Sequence, residues 1–121
     1  MEPIPKVKRR VVNLHDAVFE PFEDEVGTGL LQLNPHVKRG IGFYVYKMAS
    51  GAKSTPHRHL GAEEFYIISG DLTDHDGTEY RAGDLVWLDA GTQHYSTTKN
   101  GCTIVVFSEK GETPPASDKD V

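Results

Sequence analysis

No stretch of this 121-residue chain carries a helical apolar pattern longer than two turns. Short runs of β-branched, aromatic and aliphatic residues recur instead between glycines and prolines. Such a chain cannot bury apolar surface by packing helices, and must close many short strands on one another. Residues 30–33, 41–48, 63–69, 85–88, 94–98 and 103–107 read as strands, with Pro35 breaking the chain between the first two. Residues 71–80 read as a hairpin, because Asp76-Gly77 suits a tight primed turn. Within 63–69, Glu63, Phe65 and Ile67 fall on one face and Glu64, Tyr66 and Ile68 on the other. The expected architecture is all-β, one domain, a barrel or jelly roll.

Polar chemistry concentrates at a few points of this scaffold. His57 and His59, at i and i+2, project from the same side of an extended strand. A turn through Leu60-Gly61-Ala62 can bring Glu63 back beside them, and Gly91 opens a loop that delivers His94. Three imidazoles and one carboxylate converging on a point suit Zn²⁺, Fe²⁺ or a similar divalent ion, with Mn²⁺ or Ni²⁺ also compatible, at about one ion per chain. Glu63 and Glu64 point to opposite faces, so only one can join the histidines. His75 at the hairpin tip, His36 after Pro35 and His15 lack ligand spacing. Tyr44, Tyr46, Phe65, Trp87, Gln93 and Tyr95 are candidates for the pocket wall around the metal.

The two glycine-framed segments, Gly51…His57-Arg58-His59…Glu63…Gly70 and Gly83…Gly91…His94, resemble the two motifs of the cupin superfamily over roughly residues 41 to 107. In the second motif Asp89 replaces the usual proline and Thr98 the usual asparagine, positions that shape a turn and do not bind metal. The run through Glu63-Glu64, Gly70-Asp71-Leu72-Thr73-Asp74, Asp76-Gly77, Tyr80, Ala82-Gly83 and Gly101-Cys102 is similar to the cupin domain of ChrR-type anti-sigma factors. Stand-alone relatives of that group are likened to dihydroxyacetophenone and acetylacetone dioxygenases. The resemblance implies a cupin jelly-roll barrel with His57, His59, Glu63 and His94 as metal ligands. It implies one of two functions: a dioxygenase cleaving a carbon–carbon bond beside a carbonyl, or a zinc-containing sensor or binding protein without catalysis. A ChrR-type factor also carries a helical zinc domain with paired cysteines. A chain with one cysteine is therefore expected not to be a complete anti-sigma factor.

A net charge of −5 and a sequence pI near 5.6 argue against a nucleic-acid surface. No apolar run is long enough to span a membrane. The basic start of the chain has no signal core, and a lone cysteine suits a reducing cytoplasm. Cys102 is expected to be a small buried residue. Residues 1–29 read as an N-terminal arm and acidic loop, 30–108 as the barrel with its metal site, and 109–121 as a loosely held tail. Within the first segment, 6–12 could form an edge strand or arm and so favour a homodimer. Glu20, Glu23, Asp24 and Glu25 read as a solvated face. A small-molecule substrate or ligand is the expected partner.

Overall fold

Eleven strands run through the described residues, 1–22 and 24–116, of the computed structural model of the chain. They are β1 (Glu20–Pro21), β2 (Thr28–Leu31), β3 (Gly42–Met48), β4 (His57–His59), β5 (Glu63–Asp74), β6 (Glu79–Arg81), β7 (Leu85–Leu88), β8 (Gln93–His94), β9 (Ser96–Thr97), β10 (Cys102–Ser108) and β11 (Glu112–Thr113). No α-helix occurs among the described residues. The larger sheet runs β1-β2-β3-β10-β5-β6, with β7 and β9 also pairing β5, and the smaller runs β11-β4-β8. All these pairings are antiparallel. The fold is an all-β cupin jelly roll.

The alternation expected along 63–67 is what the larger sheet uses. Glu63, Phe65 and Ile67 are buried and Glu64, Tyr66 and Ile68 exposed. Phe65 and Ile67 pack with Tyr44, Tyr46 and Met48 of β3 and Ile104 and Val106 of β10. Burying each such side chain stabilises the fold by about 1.5–3 kcal/mol. Cys102 is 5% exposed within this core, and burial pushes its thiol up to about 12.

A break expected at Gly70 is absent, since β5 runs on for twelve residues. The register against β10 slips between Thr103 and Ile104, so Ile68 is the extra residue of a bulge. Gly70 then takes φ +87°, and a Cβ there would lie 2.0 Å from the Gly101 carbonyl oxygen. Only glycine lets the strand bend there without leaving its partner. The hairpin loop is likewise one residue longer than a two-residue turn. The Asp74 amide donates to the Thr78 carbonyl at 2.9 Å, with Gly77 at φ +88°.

Three peripheral expectations change. Residues 6–12 form no edge strand: Lys6–Lys8 makes a single 3-10 turn with no buried residue. The acidic segment is not all solvated loop, because β1 and β2 flank it, Phe22 is in the core and Glu25 reaches inside. The tail is pinned at its start: β11 pairs β4, and the Ala116 amide donates to Gln93 Oε1. Glu23 and residues 117–121, part of the acidic-face and tail expectations, lie outside the described residues.

Candidate metal centre

The smaller sheet supplies the histidines. His57 lies opposite His94 across β4 and β8, and His59 follows two residues along the same face. Glu63, first residue of β5, reaches them from the larger sheet. One ligand atom from each of His57, His59, Glu63 and His94 lies within 4.8 Å of all the others. Ring centroids of the three imidazoles are 4.7–5.0 Å apart.

Each imidazole is held by its outer nitrogen. His57 Nδ1 donates to the Thr55 carbonyl (2.7 Å) and His94 Nδ1 to Asp74 Oδ1 (2.9 Å). His59 Nδ1 lies 2.9 Å from Thr92 Oγ1, whose own proton goes to the Asp89 carbonyl, so Nδ1 is again the donor. With protons on Nδ1, every Nε2 lone pair faces inward. Glu63 Oε2 sits in close contact with His59 Nε2, yet it is buried without a hydrogen-bond partner. The contact is thus lone pair against lone pair and calls for a cation that both atoms can bind. The donor set fits a divalent metal ion.

Electrostatics around the cluster agree. Burial holds His57 below the ordinary histidine range, in part against its bond to Thr55, so the neutral, ligating form persists. Burial pushes the Asp74 carboxyl up, but hydrogen bonds from His94, Ser96 and Tyr80 outweigh it and hold the group below the usual carboxylate range. Asp74 is therefore a charged anchor for His94. The two turn substitutions are absorbed locally: the Asp89 carbonyl accepts from Thr92, and Thr98 Oγ1 donates to the Asp71 carbonyl.

Beside the cluster lies a cavity of about 50 Å³, lined by Tyr44, Tyr46 and Phe65 of the expected wall residues. Trp87, Gln93 and Tyr95 are not on it. Trp87 pairs with Glu64 and so faces outward, 59% exposed. Gln93 and Tyr95 flank His94 and line, with His57 and His94, a second cavity of about 160 Å³; Gln93 also accepts from the Ala116 amide, and Tyr95 lies near His75 and under Lys53. His75 stays exposed at the hairpin tip and is not among the four clustered residues. Two lining carboxylates lie outside the expected set. Glu25 accepts from Tyr46 (2.5 Å), Thr28 (2.9 Å) and the Thr55 amide (2.6 Å). Glu112 of β11 places Oε2 3.3 Å from His57 Nε2.

The family model described as the ChrR cupin-like domain matches residues 7–112. The chain belongs to that family. No curated protein sequence matches it significantly. Among solved structures, the polyketide cyclase RemF from Streptomyces resistomycificus is similar at TM-score 0.72 and 18% identity, over 88% of this chain and 82% of that one. An acetylacetone dioxygenase from Acinetobacter johnsonii is similar at TM-score 0.65 and 17% identity, over 89% and 80%. ChrR of Rhodobacter sphaeroides, solved in complex with SigE, is similar at TM-score 0.61 and 17% identity; the match covers 78% of this chain and 49% of that one. At these identities the likeness establishes the cupin fold and leaves the chemistry to the site. No helix among the described residues is long and apolar enough to cross a membrane.

Proposed function

We propose that this cupin is a metal-dependent dioxygenase that cleaves a carbon–carbon bond next to a carbonyl in a small diketone or hydroxyketone. The observation that carries the reading is the buried, partnerless Glu63 Oε2 facing three inward Nε2 atoms beside a small cavity. Fe²⁺ held by His57, His59, Glu63 and His94 would supply Lewis acidity toward ketone oxygens and redox chemistry with dioxygen. The protein's own part is positional. Phe22, Met48, Phe65, Leu72, Ile104 and Val106 give the cavity a largely apolar wall. Burial holds the phenols of Tyr44 and Tyr46 well above their ordinary range, so both act as hydrogen-bond donors and neither as a base.

Oxygen uptake by anaerobically iron-loaded protein, mixed with a panel of β-diketones and hydroxyketones, tests this. Uptake above a free-iron control is expected, and zinc-loaded protein should bind without turnover. A second reading is favoured by the donor count, since four protein ligands also complete a tetrahedral Zn²⁺ shell. The chain would then be a binding or regulatory cupin. Stoichiometric zinc in protein isolated without added metal, with no ketone-dependent uptake, would select it.

Pairing with a second copy is part of the proposal. Phe43, Tyr66, Leu85, Trp87 and Phe107 stand exposed on adjoining strands β3, β10, β5 and β7 of the outer face. At about 200 Å² per large side chain, scaled by exposure, they present roughly 600 Å² of apolar surface. That is the upper end for a monomer's largest patch, and most of the ~800 Å² each partner contributes to a standard interface. Sedimentation should give a dimer, and Trp87→Glu a monomer. A monomeric wild type at high micromolar concentration would contradict the pairing.

A further inference from the structure

Each imidazole of the cluster has its own outer partner, and the three partners are supported differently. Asp74 of β5 holds His94 and is itself buried, with Ser96 and Tyr80 donating to it. Thr92 holds His59, and both its hydroxyl and its amide donate to the Asp89 carbonyl. His57 rests instead on a backbone carbonyl, that of Thr55, in an exposed loop ahead of β4. The loop leaves the sheet at Ser54, whose amide donates to the Ser96 carbonyl at 2.9 Å. Between Ser54 and His57 the chain has a single backbone donor, because Pro56 carries no N–H. That donor is the Thr55 amide, and it donates to Glu25 Oε2 at 2.6 Å. A residue before proline keeps to extended backbone, so fixing the Thr55 amide narrows the direction of its carbonyl.

Glu25 is itself well held. It lies on the turn between β1 and β2, where its amide donates to the Phe22 carbonyl at 3.1 Å. Phe22 in turn packs edge-to-face on Tyr46, with ring centroids 5.6 Å apart. The other carboxylate oxygen, Oε1, accepts from Tyr46 (2.5 Å) and Thr28 (2.9 Å). Glu25 lines the cavity, yet it is not among the four clustered residues, and protein donors engage both of its oxygens. Its place is that of a brace for the loop.

We propose that Glu25 is a positioning residue for the metal centre, fixing through the Thr55 amide the carbonyl that orients His57. The proposal rests on the reading that His57, His59, Glu63 and His94 hold a divalent metal. The turn before β2 thereby sets the aim of a ligand on β4. Without Glu25 the exposed Thr55 amide turns to water, and the carbonyl turns with it. His57 then loses the acceptor that keeps its proton on Nδ1 and its Nε2 lone pair inward. His59 and His94, held from other elements, keep theirs.

Long-range proton–nitrogen NMR of the imidazole rings reads each histidine separately, in metal-free as well as zinc-loaded full-length protein. Zinc affinity is measured beside it by competition with a chelator. Glu25→Ala should lower zinc affinity about 10–100-fold and change the Nδ1 signal of His57 while those of His59 and His94 stay. Glu25→Gln keeps an oxygen for the Thr55 amide and should restore both readouts. Thr28→Val removes a bond to the same carboxylate without touching Thr55, and should leave both as in wild type. Where Glu25→Ala does not fold, Glu25→Asp, one methylene short of Thr55, should show the same change confined to His57. An unchanged His57 signal in the variant that folds, equal changes at all three histidines, or an equal loss in Thr28→Val overturns the proposal while leaving the metal reading intact. Failure of wild type to take up zinc overturns the metal reading, and this proposal with it.

Discussion

The larger sheet lines its inner face with Phe65, Ile67, Ile104 and Val106, whereas the three-stranded sheet lines its own with His57, His59, His94 and Glu112. The first is a surface that packing alone satisfies. Its strands are long, with seven paired positions between β3 and β10. The second has strands of two or three residues, too short to be held by their ladder, and its inner atoms are lone pairs. One sheet is the scaffold, and the other gathers the candidate histidine ligands. The two should therefore respond to different insults.

The largest effect is expected where the scaffold has no slack. Gly70→Ala should cost about 3 kcal/mol or more in urea denaturation, because a Cβ meets the Gly101 carbonyl at 2.0 Å as well as an unfavourable φ. Gly77→Ala shares the positive φ but meets nothing, and should cost only about 1 kcal/mol. Similar costs at both sites would remove the clash from the account. On the other sheet, His57→Ala or His94→Ala should abolish stoichiometric metal binding while the scaffold still unfolds cooperatively. His75→Ala should leave metal content unchanged. Glu63→Gln should weaken metal binding or change its geometry, and Glu64→Gln should not. The opposite ranking would mean that β5 enters the barrel one residue out of register.

Smaller effects reach the cluster from behind. Asp74→Asn loosens the anchor of His94 and should lower metal affinity about 10–100-fold without unfolding the sheet. Protons compete with the metal for the same nitrogens, so occupancy should fall as pH drops below roughly 6. Burial lowers the affinity of His57 for a proton, which keeps it ligating in the weakly acid range before that loss. Full occupancy at pH 4 would imply a different set of ligands.

Period-two alternation made the faces of β5 legible because charged and apolar residues mark opposite sides. In β7 the same rule was silent: Leu85-Val86-Trp87-Leu88 is apolar throughout, and only pairing with Glu64 turns Trp87 outward. Gln93 and Tyr95 adjoin His94 in the sequence, and the fold sets them on a second cavity shared with His57 and His94 and not on the one beside Glu63. Glu112 carried no such signal. Its strand is two residues long, precedes two prolines and exists through pairing with β4, more than fifty residues away. Glu25 was hidden for the same reason, its partners Tyr46 and Thr55 being brought to it by the fold.

X-ray absorption at the zinc edge of stoichiometrically loaded protein tests the central claim most directly, because it reads the atoms around the ion without requiring turnover. The account predicts a first shell of three imidazole nitrogens and carboxylate oxygen at about 2.0–2.2 Å. One imidazole should disappear in His94→Asn, and the carboxylate contribution should change in Glu63→Gln. A sulfur scatterer near 2.3 Å, or a shell of water-like oxygens indifferent to both substitutions, would contradict it.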